Sequence, residues 1–375
     1  MKKNKLKNIT GNLLMLFIWI VYGFFLGNYM TSFFDEDATF ASKIPFLFFM
    51  MVMFYLSVFV GTIIHESGHL IFGLMSGYKF NSFRIMSFIW IKDGEKIKLK
   101  RYSLAGTAGQ CLLNPPEMKD GKIPVVLYNI GGSLLNIITG IIFLALYYIV
   151  GKTQIVGTAF VMLGFISIIL GITNIVPIQT ALITNDGYNT LDLYKNRNAS
   201  KAFWTQLKIQ EMTSKGVRIK DMPSEWFTLP SDEELQNHSV AAMGVFSCNY
   251  LMDKQQFDEA DKRMEYLMSI DSGIIGLHRN LMMCDRIYCE LIRENRQAVI
   301  EKMLTKEQQK FMKSMKNYPP VLRTEYAYAL LAEKDIIKAE KIKAQFKKVT
   351  KTYPYKAEIE SENELIEIAR SKIEL

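Results

Sequence analysis

The stretch IPFLFFMMVMFYLSVFVGTII-HESGH-LIFGLMSG, residues 44–77, places two histidines inside an apolar run. A helix that crosses the ~30 Å hydrocarbon core of a bilayer needs ~20 apolar residues, and the run reaches that length before His65. On a helix, His65 and His69 lie one turn apart on the same face, so their imidazoles can converge on one zinc ion. Glu66, beside the first histidine, can take a proton from a water at such an ion.

The membrane setting of this HExxH motif decides how it is interpreted. The alternative is a pair of hydrogen-bonded helix histidines near the membrane edge. Ionisable side chains at membrane depth cost free energy and usually serve a function. The chain has only four histidines, and two of them are in this motif. The sequence therefore predicts a zinc site with His65 and His69 as ligands and Glu66 as the catalytic acid/base.

Long apolar runs dominate the first half of the 375-residue chain, whereas charged residues dominate the second half. We predict four membrane spans, at about residues 11–34, 44–74, 123–150 and 154–177. The first span follows a lysine-rich start and is too long for a signal-peptide core, which favours an uncleaved anchor. The expected fold is an α-helical polytopic membrane protein with a C-terminal all-α soluble domain. The expected divisions are an anchor helix and external loop over 1–43, an intramembrane core over 44–195, and a helical domain over 196–375.

Loop charges predict the orientation. The 31–43 loop carries Asp35, Glu36 and Asp37, while the 75–122 loop holds nine Lys or Arg residues. Since basic loops stay on the cytoplasmic side, both termini are expected to be cytoplasmic in a multi-pass, bacterial-type cell membrane protein. The net charge is +8, but the basic residues flank apolar segments, which favours the lipid bilayer as partner and excludes nucleic acid. The four cysteines lack metal or disulfide spacing, and we expect reduced thiols.

A β-hairpin is predicted over residues 83–101 of the basic loop. Residues 83–91 alternate as one strand, Asp93-Gly94 is a turn signal, and residues 96–100 alternate again. The hairpin either offers an edge to which an extended peptide adds as a strand, or covers the membrane surface.

A third zinc ligand is expected at Asp186, because a catalytic zinc keeps three protein ligands and one open position. His238 and His278 are far along the chain in the charged half, where they are expected to be surface or core residues. Asp186 instead follows the last span, at about the depth of the HExxH motif. Pro177 and Gly187 bracket a segment in which the helix must break, so that a side chain can turn into a cavity.

These motifs together resemble the site-2 protease clan of intramembrane zinc metalloproteases. The resemblance rests on HESGH at 65–69, Gly-Ser-Leu-Leu-Asn at 132–136, and Asn174-x-x-Pro177 with Asp186-Gly187, and it covers residues 44–190. It implies a three-helix core in which His65, His69 and Asp186 bind zinc and Glu66 is the acid/base. The chain departs from the family in having Gly132-Ser133 where Gly-Pro is usual, and in a longer Asn-to-Asp spacing.

Asn136 is a polar residue midway along an otherwise apolar span, beside two glycines. The resemblance implies that it holds the substrate backbone or the oxyanion, because its amide can donate to a carbonyl oxygen that gains charge. In that role Asn136 supports catalysis without binding zinc. The alternative is an interhelical hydrogen bond that serves packing.

Charged amphipathic helices follow residue 196. The segments 249–266 and 325–342 resemble one another, each with a helix, a short polar turn and a second helix. That pattern is similar to tetratricopeptide-like repeats, and the alternative is a plain helical bundle. Such a domain is expected to bind a protein partner.

Three functions compete on these observations. The favoured one is a zinc-dependent intramembrane endopeptidase whose substrate is a membrane-embedded or membrane-associated protein or peptide. The first alternative is a non-catalytic membrane receptor or scaffold that acts through the helical domain. The second is a tethered zinc protease that cleaves soluble peptides, but it predicts a motif outside the apolar run.

Overall fold

The computed structural model describes residues 2–31, 39–102, 107–150, 154–178 and 184–373. The protein is mostly helical, with a small antiparallel sheet and an all-α C-terminal region. The chain forms two compact units that are each discontinuous in sequence. The first contains Met1–Lys79 and Pro124–Lys195, and the second contains Phe80–Ile123 and Asn196–Leu375.

The described residues of the first unit form five helices. They are α1 (Lys2–Thr31), α2 (Phe40–Met75), α3 (Val125–Val150), α4 (Gln154–Ile175) and α5 (Asp186–Lys195). Thr39 caps α2, since its side chain accepts a hydrogen bond from the Ser42 N–H at 3.4 Å. The long helices α2, α3 and α4 pack against one another.

Three helices of the described chain are long and apolar enough to cross a membrane: Phe40–Met75, Val125–Ile149 and Ile155–Ile175. They match three of the four expected spans. The remaining expected span, 11–34, falls on α1, whose apolar part is the shorter segment Leu16–Tyr29. Tyr22 of α1 packs in a cluster with Ile166 and Ile169 of α4. The acidic residues 35–37 and the end of that span lie outside the described residues.

A four-stranded sheet opens the second unit. Its strands are β1 (Lys79–Ile85), β2 (Phe88–Asp93), β3 (Lys96–Arg101) and β4 (Gly109–Asn114), in the order β3-β2-β1-β4. The predicted turn at Asp93-Gly94 is confirmed, and Gly94 has φ +64°.

The prediction of one strand over 83–91 was wrong, because the chain turns at Met86 and Ser87 between two paired strands. Met86 takes the left-handed conformation, with φ +53°. The turn at Met86 and Ser87 lacks the Gly or Asn that usually marks a two-residue hairpin turn. Apolar residues continue on both sides of it, so no local signal in the sequence marks the break.

The sheet packs with the C-terminal helices. Ile89 and Ile91 of β2 are buried, and Ile91 shares a cluster with Tyr353 and Tyr355. The Trp204 indole N–H donates to the Pro116 carbonyl oxygen at 3.0 Å. This grouping differs from the expected division at residue 195, which placed the hairpin with the membrane helices.

Within residues 196–373, nine α-helices complete the second unit. They are α6 (Arg197–Ser214), α7 (His238–Asp253), α8 (Phe257–Ser269), α9 (Gly276–Ile292), α10 (Gln297–Met303), α11 (Lys306–Ser314), α12 (Pro319–Ala327, extended by a π-helical turn to Ala332), α13 (Ile336–Thr350) and α14 (Lys356–Ser371). Their shared core includes Met264, Ile287 and Phe346.

Three helical hairpins of this unit share one kind of turn. Gln255, Asn295 and Lys334 have φ of 59°, 50° and 55°, and each lies two residues before the next helix, α8, α10 or α13. These residues are 40 and 39 positions apart. Segments 249–266 and 325–342, which are expected to resemble one another, contain the turns at Gln255 and Lys334. The resemblance between them did not indicate the turn at Asn295.

Candidate metal centre

Three side chains of the first unit converge on one point. His65 and His69 lie on α2, and Asp186 is the first residue of α5. The His65 Nε2 atom lies 3.0 Å from Asp186 Oδ2 and 3.2 Å from His69 Nε2, and His69 Nε2 lies 3.4 Å from Asp186 Oδ2. The structure thus brings together the three residues that the sequence proposes as ligands.

The spacing of these donor atoms fits a small tetrahedral ion. Zinc binds imidazole nitrogen and carboxylate oxygen at about 2.0–2.2 Å, which separates the ligand atoms of a tetrahedron by about 3.3–3.5 Å. The three observed separations lie at or slightly below this range. Two imidazoles and one carboxylate form a donor set that suits zinc and leaves a fourth position for water or substrate.

The His69 ring is held in the orientation that a ligand requires. Its Nδ1–H donates to the Tyr128 carbonyl oxygen of α3 at 2.8 Å. A hydrogen on Nδ1 leaves the Nε2 lone pair free to face the other donor atoms. Because the partner is a backbone oxygen, the sequence contained no side-chain signal for this contact.

Asn136 of α3 lies against the other imidazole. Its side chain is fully buried, and its Nδ2 atom lies 3.2 Å from His65 Nδ1. The contact is the interhelical hydrogen bond expected as the alternative role of Asn136. Its partner is His65, a proposed metal ligand. The contact therefore links Asn136 to the orientation of His65.

Glycine at position 132 leaves room for both imidazoles. A Cβ atom there would lie 2.7 Å from His69 Nε2 and 2.8 Å from His65 Nε2. Any side chain on Gly132 would therefore collide with the two nitrogens that face the site. The sequence indicates Gly132 as part of the family motif and as a small neighbour of Asn136, but its contact with the histidines is visible only in the fold.

A tight connection between α4 and α5 positions Asp186. A Cβ on Gly187 would lie 2.0 Å from the Ile175 carbonyl oxygen, so α5 begins directly against the end of α4. The Asn185 amide donates to the carbonyl oxygens of Thr173 at 2.8 Å and Val176 at 2.5 Å. Its oxygen accepts the backbone N–H of Ile178 and of Tyr188, each at 3.0 Å.

Asn185 was missed by the sequence analysis. Asn side chains often form hydrogen bonds with nearby backbone groups. This Asn follows the end of a helix and precedes an Asp-Gly pair, and that position is the signal that could have identified it. Residues 179–183 of the Pro177–Asp186 segment lie outside the described residues.

Glu66 is buried on α2 next to His65, with 8% of its surface exposed. Its position in the HExxH motif places it in the helical turn that carries both histidines. His238 and His278 belong to the second unit, as expected from their place in the sequence. Within the described residues, His65, His69 and Asp186 form the one group of three or more His, Cys, Asp or Glu side chains arranged to hold a metal ion.

The arrangement can hold a metal ion. Two imidazoles and one carboxylate supply the donor atoms, and Glu66, another buried carboxylate, follows His65 on α2. Comparisons of the chain with protein-family models, with curated proteins and with solved structures give no match.

Proposed function

We propose that this chain is a zinc-dependent intramembrane endopeptidase, with His65, His69 and Asp186 as the zinc ligands. The observation that carries the proposal is the convergence of these three donors, two of them on a helix that is long and apolar enough to span a membrane. Burying two histidines and a carboxylate in such a setting costs free energy, which a bound cation offsets.

The chemistry follows from the residues around the donors. Zinc, when bound, supplies a Lewis acid that polarises a carbonyl and makes a nearby water more acidic. Glu66 takes a proton from the attacking water and delivers it to the leaving amide nitrogen. Asn136 and the Tyr128 carbonyl orient the His65 and His69 rings.

The substrate class follows from the membrane setting. A scissile bond must reach a site inside an apolar helix bundle, so the substrate is a membrane-embedded or membrane-associated protein or peptide. A helical substrate must unwind first, because the backbone bonds of a helix occupy its carbonyl groups. In the second unit, β3 is an edge strand that is exposed over residues 96–99, and an extended peptide can add to such an edge.

The finer topology belongs to the same proposal. We assign α1 as a fourth span and place both termini in the cytoplasm of a bacterial-type cell, on the basis of the basic 75–122 loop. The repeated turns at Gln255, Asn295 and Lys334 support a tetratricopeptide-like arrangement of the helical domain. A protein partner of that domain is part of the proposal.

The test compares cells that produce wild-type protein, Glu66→Gln or the control Glu117→Gln, which changes an exposed carboxylate of the second unit. Quantitative membrane proteomics should show uncut substrates accumulating only with Glu66→Gln, because that variant lacks the acid/base. Each purified protein should contain one zinc ion per chain. Indistinguishable proteomes from metal-loaded, folded wild type and Glu66→Gln would overturn the peptidase and favour the non-catalytic receptor.

A further inference from the structure

A cavity of about 270 Å³ lies inside the second unit. Its walls come from the sheet and from α6, α7, α9, α12 and α14. The volume is close to the lower limit of small-molecule sites, roughly 300–1,000 Å³. Apolar side chains form part of the wall, among them Ile209, Val245, Phe246 and Met282. The second unit therefore contains room for a small ligand with an apolar portion.

Four carboxylates line this cavity, and three of them form ion pairs with arginine. Asp253 pairs with Arg218 at 2.5 Å. Glu362 accepts a hydrogen bond from Arg323 Nε at 3.0 Å, and the same guanidinium pairs with Asp285. Ion pairs of this kind are part of the domain's own structure.

Glu358 is the fourth carboxylate, and it lacks such a partner. Its Oε2 accepts a hydrogen bond from the Tyr353 hydroxyl at 2.6 Å, and within the described residues no cation pairs with it. Burial raises the pKa of Glu358 to about 7; the bond from Tyr353 opposes this rise and the nearby Glu362 adds to it. A partly buried carboxylate without a countercharge is the group that a cationic ligand would stabilise.

Two cations of the sheet, Arg84 and Lys100, donate to backbone carbonyl oxygens. The Arg84 guanidinium donates to the backbone carbonyl oxygens of Met86, Thr107 and Gly109. The Lys100 ammonium donates to the carbonyl oxygens of Tyr353 and Pro354, at 3.4 and 3.5 Å. His278, which also lines the cavity, is uncharged at neutral pH because burial lowers its pKa to about 4.

Tyrosines complete the surroundings of Glu358. Tyr102, Tyr318 and Tyr355 line the cavity, and the Tyr102 and Tyr355 rings lie edge to face with centroids 5.8 Å apart. Burial raises the pKa of all three phenols, so none contributes a competing negative charge at neutral pH. The faces of such rings attract cations, and several rings with a carboxylate form the usual recognition site for ammonium groups.

We propose that this cavity binds the alkylammonium group of a small organic cation, with Glu358 as its countercharge and Tyr102, Tyr318 and Tyr355 around it. The alkyl portion contacts the apolar wall. The site is independent of the proposed peptidase activity, because all of its residues belong to the second unit.

The test uses full-length protein in a neutral detergent and isothermal titration calorimetry with n-pentylammonium chloride. We expect saturable binding of one cation per chain and no binding of the matched anion, pentanoate. Glu358→Gln should weaken the affinity at least about tenfold, since it removes the charge from the ion pair. Glu360→Gln, which changes an exposed carboxylate on the same helix, should bind as wild type does.

Two further measurements support or overturn the site. At pH 6.5 the cation should displace a proton from Glu358, so the binding enthalpy should depend on the ionisation enthalpy of the buffer in wild type but not in Glu358→Gln. In wild-type protein, n-pentylammonium should slow hydrogen exchange at α14, a result that needs no variant. Absence of saturable cation binding, or equal affinity in both glutamine variants, would overturn the proposal.

A second titration distinguishes an ammonium group on a lysine side chain from one on a free amine. Acetyl-Ala-Lys-Ala-amide presents the same group on a peptide, and its Nε-acetylated form is the matched control. Tighter binding of this tripeptide than of n-pentylammonium would assign a lysine side chain, and the reverse order would assign a free amine. Equal binding of the acetylated and unmodified tripeptides would count against recognition of the ammonium group.

Discussion

His65 Nδ1 and Asn136 Nδ2 lie 3.2 Å apart, and this contact ties α2 to α3 beside the three converging donors. If His65 Nε2 faces a metal ion, His65 Nδ1 carries the hydrogen and needs an acceptor. The Asn136 amide oxygen is that acceptor once the amide is turned by 180°, since amide oxygen and nitrogen are assigned from hydrogen bonding. The turn also gives a partner to Asn136 Oδ1, a buried atom without one in the other orientation.

Asn136→Ala should therefore lower zinc affinity by about 10–100-fold, the usual effect of losing a hydrogen-bond partner of a metal-bound histidine. Asn136→Asp should retain tight binding, because a carboxylate also accepts the hydrogen of His65 Nδ1. Competition with a chelator of known affinity measures the effect without a peptidase assay. Unchanged affinity in Asn136→Ala would return this residue to the substrate-binding role implied by the family resemblance.

Asp186→Ala should lose most of its zinc, because only the two imidazoles of α2 would remain. Metal content of the purified protein, measured by mass spectrometry, reports the loss. Asp192→Asn on the same helix α5 is the control and should keep one zinc per chain. A fully loaded Asp186→Ala protein would show that the third ligand lies elsewhere.

Gly132→Ala should abolish metal binding while the helices stay folded. The added methyl group would stand within 2.8 Å of both histidine nitrogens, so the rings must rotate away from Asp186. Gly27→Ala is the control, since a Cβ at Gly27 has no neighbour within 4 Å. Circular dichroism checks the fold and metal analysis checks the site; normal zinc content in Gly132→Ala would contradict the geometry.

Arg323→Met should lower the unfolding free energy of the second unit by about 3–5 kcal/mol, because it leaves Asp285 and Glu362 buried without their shared cation. Arg323 is only 1% exposed. Hydrogen exchange at α9 and α14 in the full-length protein measures the change. Arg370→Met, at the exposed end of α14, should have little effect, and equal losses in the two variants would argue against the network.

His278 should make the stability of the second unit depend on pH. Burial lowers its pKa to about 4, so between pH 6.5 and 4 the unfolded chain binds a proton there and the folded chain does not. The His278 contribution to stability is thus complete above pH 6.5 and falls as the pH decreases to 4, by on the order of 3 kcal/mol. Hydrogen exchange at α9 should show a smaller acid loss in His278→Gln than in the control Asn280→Gln, and equal pH profiles would refute this.

The convergence of His65, His69 and Asp186 was predictable because it follows from local features of the chain. A helix places His65 and His69 on one face, and a helix break before Asp186 frees a side chain to turn. The contacts that orient these donors were not predictable in the same way. The Tyr128 carbonyl carries no side-chain signal, and the importance of Gly132 depends on how closely α3 approaches α2.

In the fold, too, features set by neighbouring residues were predictable, whereas contacts between distant parts of the chain were not. Apolar length alone predicts the three long spans, and a turn signal predicts the hairpin at Gly94. The break at Met86 escaped prediction because the turn lacks the Gly or Asn that usually marks a hairpin. The grouping of the sheet with helices more than a hundred residues later escaped prediction because no local pattern reports on Ile91 meeting Tyr353.

The discontinuous second unit has a consequence for biosynthesis. Strands β1 to β4 leave the ribosome before α3, whereas Tyr353 and Tyr355, which cluster with Ile91, are made only after α13. Until then the apolar face of β2 lacks this native cover, and such surfaces are prone to aggregation. A premature stop after α5 would therefore release a product whose sheet never gains that cover.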